Sequence, residues 1–450
     1  MSTRNSLVRI LSAPFRAASA KAAPVAAVVL LSLVAAGCTS PPLEEAVAAP
    51  GAAETGPAEL DLPRIPWEGG SAYWKQFAKP QAAGWSDPGF FPIVIWYNGI
   101  SSDAEAQYDK SLGFNSYIGM ADTTPYSLFA DNNMFWIGGK LNDGFTDSSK
   151  YWVGDFLDDE TDGRFATAAE GQKYLEEQKA KYAGDGRFNY VNFSQIVIGQ
   201  DMPAKDSEKY VNAYTDVASV DMYWYTVPFC SWDPMPVRYL VPVTQTNCRT
   251  ASSYGKTMES LRQRDVTDGK LQSLWQFVEI LNGGPGDDQP FVANVTAGQL
   301  QGAVMNSLIH EARGLVYFNQ SLNGTCTGGS IVRQTQVDPK FCAAPQVAAA
   351  GEINNRIHDL APVLNSQSYK YSFGPGLDTM LKAKDGYAYI FSMVDDALNP
   401  GARTFTLPAG ISGKKVEVLY EDRTIDVAAN NTFKDTFKAE YSYHIYKVKI

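Results

Sequence analysis

From about residue 66 to residue 365, short apolar runs alternate with stretches of helical periodicity, the pattern of βα units that build a parallel sheet. Eight runs are expected as strands: 91–97, 116–120, 134–137, 152–157, 195–198, 218–223, 273–278 and 314–318. Between them, Thr167 and Glu170 have capping-box spacing ahead of a helix to Tyr182, with Glu177 and Lys181 at the i,i+4 pair spacing. Thr296 and Gln299 open another helix, on which Leu300, Val304 and Leu308 share the inner face. A last helix puts Ile353, Ile357, Leu360 and Leu364 on one stripe and is expected to stop near Pro362. Eight strands over roughly 300 residues predict an α/β fold, a (β/α)8 TIM barrel with loop insertions. After residue 365 the period falls to two, with a tight turn at Lys384-Asp385-Gly386, which predicts a small C-terminal antiparallel β-sandwich.

The ends change this picture by adding a compartment. Arg4, Arg9, Arg16 and Lys21 precede an apolar run from Ala22 to Val34, followed by Ala35-Ala36-Gly37-Cys38. A basic stretch, a short apolar core and small residues before a cysteine describe a cleaved export signal. The last four residues resemble a bacterial lipoprotein signal, which implies lipidation at Cys38; ordinary secretion with Cys38 as a bystander is the alternative. Ala, Pro and Glu dominate the next stretch, as in a flexible tether. The expected organisation is a leader 1–37, a tether 38–66, a catalytic barrel 67–365 and a sandwich 366–450.

Of the five cysteines, Cys230, Cys248, Cys326 and Cys342 remain for an oxidising compartment. Sequence-local pairing suggests Cys230 with Cys248 and Cys326 with Cys342, and two other pairings stay open. The net charge of −11 becomes −15 once the four leader cations are removed, which argues against nucleic acid or anionic lipid as a partner. Three histidines, His310, His358 and His444, leave little material for a His-based triad or multi-His metal site. Serine-hydrolase elbow, phosphate loop, zinc helix and calcium loop are all missing from the sequence. No cofactor and no metal are expected, and the molecule is expected to be a monomer.

In a TIM barrel the chemistry sits at the C-terminal ends of the strands. Glu160 lies at the end of the fourth expected strand, in Asp155-Phe156-Leu157-Asp158-Asp159-Glu160-Thr161-Asp162, and Glu279 ends the seventh. Strands four and seven oppose each other across an eight-stranded barrel, so two acids could face one sugar, as glycosidic hydrolysis requires. Solvated loop acids are the competing reading for both. Asp122, Asp201 and Asp221 are further candidates, Asp221 beside Tyr223 and Trp224, where a carboxylate can bind hydroxyls while an aromatic ring stacks on a sugar. Trp96, Trp136, Trp224, Trp232 and Trp275 are candidate platforms or core residues, and Asn319 follows the eighth strand.

The strand order and the acids ending strands four and seven resemble the retaining glycoside hydrolases of clan A. Asp159-Glu160-Thr161-Asp162 is similar to that clan's Asn/Asp-Glu-Pro turn, with Thr161 in place of Pro, and strand eight ends in Asn319-Gln320 where the clan has Trp. The segments Phe91-Pro92-Ile93-Val94-Ile95-Trp96, Leu112-Gly113-Phe114-Asn115-Ser116-Tyr117 and Ala312-Arg313-Gly314-Leu315-Val316-Tyr317-Phe318 resemble clan-A-like strands one, two and eight. The resemblance implies a retaining mechanism with Glu160 as acid/base, Glu279 as nucleophile and Asp159 contacting the sugar. The substrate implied is an extracellular or cell-wall carbohydrate. A non-catalytic carbohydrate-binding lipoprotein on the same barrel is the second expectation.

Overall fold

The computed structural model describes residues 59–231, 238–283, 294–322, 324–395 and 399–450. Cys38, the leader, most of the tether and Trp232 lie outside the described residues.

Eight parallel strands close into a barrel in sequence order: β1 (Ile93–Trp96), β2 (Ser116–Ile118), β3 (Phe135–Ile137), β4 (Trp152–Asp159), β5 (Phe188–Phe193), β6 (Val217–Val220), β7 (Ser273–Glu279) and β8 (Gly314–Phe318). The connecting helices are α1 (Ala78–Ala83), α2 (Asp103–Ser111), α3 (Tyr126–Asn132), α4 (Thr161–Arg164), α5 (Ala168–Lys181), α6 (Ala204–Ala213), α7 (Ala251–Asp265), α8 (Ala297–Ile309), α9 (Ile331–Val337) and α10 (Ala344–Leu364). Both predicted capping boxes form, Thr167 with Glu170 and Thr296 with Gln299. In α5 it is Lys173, not Lys181, that reaches Glu177, at 3.9 Å, while Lys181 donates to Gln178.

The fifth strand corrects the sequence reading. Residues 195–198 form a turn, and the strand is Phe188–Phe193, Phe-Asn-Tyr-Val-Asn-Phe. Its two asparagines break the apolar run that marks a buried strand, yet both are satisfied within the barrel wall. Asn189 binds Asp216, and Asn192 accepts from the Ser219 hydroxyl at 2.7 Å. The last helix also passes Pro362 and ends two residues later, at Leu364.

Aromatic side chains fill the barrel. Trp96, Phe156 and Phe277 meet edge to face, with Tyr190 and Trp275 below them and Trp74 and Trp85 plugging the floor. The floor is closed by packed aromatic rings, and the chemistry of such a barrel belongs to the opposite end, where the strands finish.

After the barrel, β9 (Ser368–Tyr369), β10 (Leu377–Lys384), β11 (Tyr387–Val394), β13 (Lys415–Val418), β14 (Arg423–Asp426) and β16 (His444–Lys449) form a six-stranded sheet ordered β14-β13-β16-β11-β10-β9. A second sheet pairs β12 (Gly401–Thr406) with β15 (Thr432–Phe437). Alternation divides the larger sheet between two cores. Met380, Phe391, Met393 and Ile445 join the barrel core, whereas Leu381, Ile390, Val416 and Tyr446 join Phe405 and Phe433 in a second one. Residues 59–66, the end of the expected tether, run along this sheet: Leu60 is buried in the second core and Ile65 donates to the Ser368 carbonyl at 2.9 Å.

Candidate functional site

At the C-terminal mouth, β4 ends in a kink. The register with β5 shifts between Phe156 and Asp158, and Glu160 adopts φ +48°, a conformation that costs a non-glycine residue about 1 kcal/mol or more and recurs at functional sites. The kink is pinned by Asn192 of β5. Its carbonyl accepts the Glu160 N–H at 2.8 Å, and its side-chain amide donates to Asp159 at 2.9 Å. Asp162 is anchored by the Ser194 N–H and hydroxyl, both at 2.9 Å, and Asp158 pairs with Arg164.

Asp221, one residue past β6, and Glu160 affect each other's ionisation at the mouth. Two neighbouring carboxyl groups of like charge favour keeping one of them protonated. Burial, then the charges of Glu160, Asp159 and Asp162, push the Asp221 pKa well above the usual carboxylate range. Burial followed by the Glu160 charge raises Asp159 to about 7. Burial and Asp162 raise Glu160 as well, with the Asp221 hydrogen bond pulling the other way. Glu160 is nonetheless solvent-exposed.

Glu279 closes β7 and is 0% exposed. The Tyr254 phenol of α7 donates to its two carboxylate oxygens, at 2.7 and 2.8 Å, and the Thr226 hydroxyl approaches at 3.3 Å. Tyr254 is itself fixed by the Tyr225 N–H at 3.2 Å and Thr226 by the Gly283 N–H at 3.1 Å. Burial lifts Glu279 to about 7 against these hydrogen bonds. Tyr223, two residues past Asp221, is buried at the same end of the barrel. Its phenol is pushed well up by burial and then by the charges of Asp221, Asp159, Glu279 and Glu160.

The other sequence candidates go elsewhere. Trp275 and Trp96 are interior core, and Trp224 is buried with its indole N–H on Thr257 at 2.8 Å. Trp136 is buried and donates to the Gly139 carbonyl at 2.9 Å. Asn319 is buried, donating to Asn98 at 3.0 Å and Ser330 at 3.1 Å and accepting from the Val332 N–H at 2.9 Å, so it organises the loop after β8. Asp201 pairs with Arg238 on the surface at 3.5 Å, and Asp122 is exposed.

Sequence reasoning missed Asn192, Thr226 and Tyr254. Tyr254 carries no local signal, being one aromatic inside a helix, while Asn192 was hidden with its strand. Disulfides join Cys230 to Cys248 and Cys326 to Cys342, the sequence-local pairing. Among the described residues, no group of three or more His, Cys, Asp or Glu is arranged to hold a metal ion, and no helix is long and apolar enough to cross a membrane.

No protein-family model matches the chain, and no curated protein matches it. Solved structures similar to it include Amy13B of Eubacterium rectale, with 10% identity over 84% of this chain and 100% of that one and a TM-score of 0.46. Isomaltulose synthase from Klebsiella sp. LX3 is similar over 81% and 99%, with 10% identity and a TM-score of 0.42. A family 30 endoxylanase from Clostridium papyrosolvens C71 is similar over 80% and 97%, with 11% identity and a TM-score of 0.35. The likeness is one of chain path, and the barrel itself rests on the strand pairing above.

Proposed function

We propose that the chain is a retaining glycoside hydrolase working at the C-terminal mouth of its barrel, with Glu160 as acid/base and Glu279 as nucleophile. The supporting observation is that Asp159 and Glu160 at the end of β4, Asp221 after β6 and Glu279 at the end of β7 all belong to the C-terminal mouth of the barrel, and all act on the Tyr223 phenol there. Cleaving an acetal needs a proton for the leaving oxygen and an anion for the anomeric carbon. The proton is held by the neighbouring Glu160 and Asp221 and retained at neutral pH because each carboxylate's charge disfavours ionisation of the other. Glu279, ionised above about pH 7, attacks the anomeric carbon as the Glu160 proton moves to the departing sugar. Glu160 then takes a proton from the water that releases the glycosyl group. The substrate class is an extracellular or cell-wall polysaccharide or oligosaccharide. An oxidising compartment, supported by two disulfides, fits a protein exported and anchored through Cys38.

One observation favours the non-catalytic, carbohydrate-binding reading: Glu279 is completely enclosed and its carboxylate already hydrogen-bonded. Assaying wild type, Glu160→Gln and Glu279→Gln on a panel of cell-wall and plant polysaccharides separates the two. The hydrolase reading expects Glu160→Gln to lose roughly 10²–10⁴-fold in rate on unactivated substrates, and Glu279→Gln to be inactive. Equal activity in wild type and Glu279→Gln rejects that nucleophile. Wild type that binds a glycan and cleaves none supports the binding reading.

A further inference from the structure

The tryptophans singled out in the sequence are buried wherever they are described, whereas Tyr97, one residue past β1, is 44% exposed. It adopts φ +53°, unfavourable for an aromatic residue, and is held there by its N–H on the Ile118 carbonyl at 2.8 Å. One ring face lies flat on Gly119, the first residue past β2. A Cβ at Gly119 would come within 3.0–3.1 Å of the Tyr97 ring carbons, so a side chain there would dislodge the ring. The neighbouring Trp96 ring, 5.1 Å away, braces it from the barrel interior. The phenol, half enclosed, feels Asp159 and then Asp158, which raise its pKa beyond the effect of burial. The ring therefore stands on the wall of the acid-lined mouth, supported behind and open in front.

We propose that Tyr97 is a stacking platform for a pyranose ring of the substrate, the C–H face of the sugar lying on the phenol and its hydroxyls reaching toward Asp158 and Asp159. A flat, apolar surface edged with carboxylates is the complement of a pyranose, which has an apolar face and a hydroxyl rim. The conformational cost of an aromatic side chain at positive φ contributes nothing to packing the core and fits retention for binding. This inference rests on the carbohydrate reading of the mouth.

The test uses Tyr97→Asn, because Asn tolerates positive φ while removing the ring, with Tyr97→Phe as the conservative variant. Affinity electrophoresis in gels containing each soluble polysaccharide of the panel measures binding, and steady-state kinetics separates KM from kcat. Tyr97→Asn is expected to lose retardation and to raise KM about tenfold with kcat nearly unchanged, the pattern of lost uniform binding. Tyr97→Phe is expected to stay near wild type, and both variants to unfold within a few degrees of it. If wild type binds a glycan and Tyr97→Asn binds equally well, the platform is rejected and the carbohydrate reading stands. If wild type neither binds nor cleaves any member of the panel, both fall together.

Discussion

Tyr254 governs the charge of Glu279 although it lies on a helix outside the barrel. Its phenol spans both carboxylate oxygens and favours the ionised form, while burial favours the neutral one and wins, leaving the group at about 7. A nucleophilic Glu279 must be ionised, so activity falls as pH drops through that value. Tyr254→Phe removes a hydrogen bond to the anion and raises the Glu279 value further, which moves the acid limb of the rate profile to higher pH. The expected outcome is a several-fold loss of kcat/KM at pH 6 and little change at pH 8, read from pH–rate profiles of the two proteins. An unshifted acid limb would show that Glu279 is not the group that limits the rate in acid.

Elements at the mouth are tied down by covalent links as well as by packing. The Cys326–Cys342 bridge, 16 residues apart in sequence, joins the loop after β8 to the residues that start α10, and Ser321 binds the Cys326 carbonyl at 2.7 Å inside that loop. Closing a loop of this length restricts the unfolded chain by about 3 kcal/mol in the chain-entropy model. Replacing both cysteines with serine should therefore lower unfolding free energy by about that amount in denaturant titrations, with the midpoint falling and the slope little changed. The capping boxes at Thr167 and Thr296 are contiguous motifs whose hydrogen bonds close within one turn, so sequence sufficed. Phe188–Phe193 was not legible, because Asn189 and Asn192 look like solvent-facing residues until Asp216, Asp159 and Ser219 come from neighbouring strands to satisfy them.

At the scale of the molecule, the C-terminal sheets are part of the machinery that holds the site. Thr250, at the N-terminus of α7, makes no side-chain cap and instead donates to the Asn247 carbonyl at 2.6 Å. The missing cap comes from Glu440, in the loop before β16, which accepts the Ala251 N–H at 3.0 Å and the Tyr225 phenol at 2.7 Å. A carboxylate at this end of the helix also meets its positive dipole. From there α7 carries Tyr254 to Glu279, so a residue of the antiparallel region supports a residue of the barrel mouth through one helix. Glu440→Ala should lower stability by about 1–2 kcal/mol, the usual cost of a lost cap. It should also reduce kcat more than it raises KM, whereas a cap of purely structural importance would leave the kinetics of the folded protein unchanged.

The sequence by itself determined the βα alternation, seven of the eight barrel strands and the change to period two after residue 365, and it favoured the sequence-local cysteine pairing. Those follow from periodicity and short separations, where each residue's preference agrees with its neighbours'. Tertiary structure alone decided which carboxylates become neighbours, because Glu160 and Asp221 are 61 positions apart and act on each other only once β4 and β6 end at a common mouth. It also decided that Trp96 and Trp275 fill the interior while Tyr97 faces solvent. A strand's alternation gives the side a residue faces, but whether that side is floor, wall or opening depends on closure of the barrel, a property of all eight strands together.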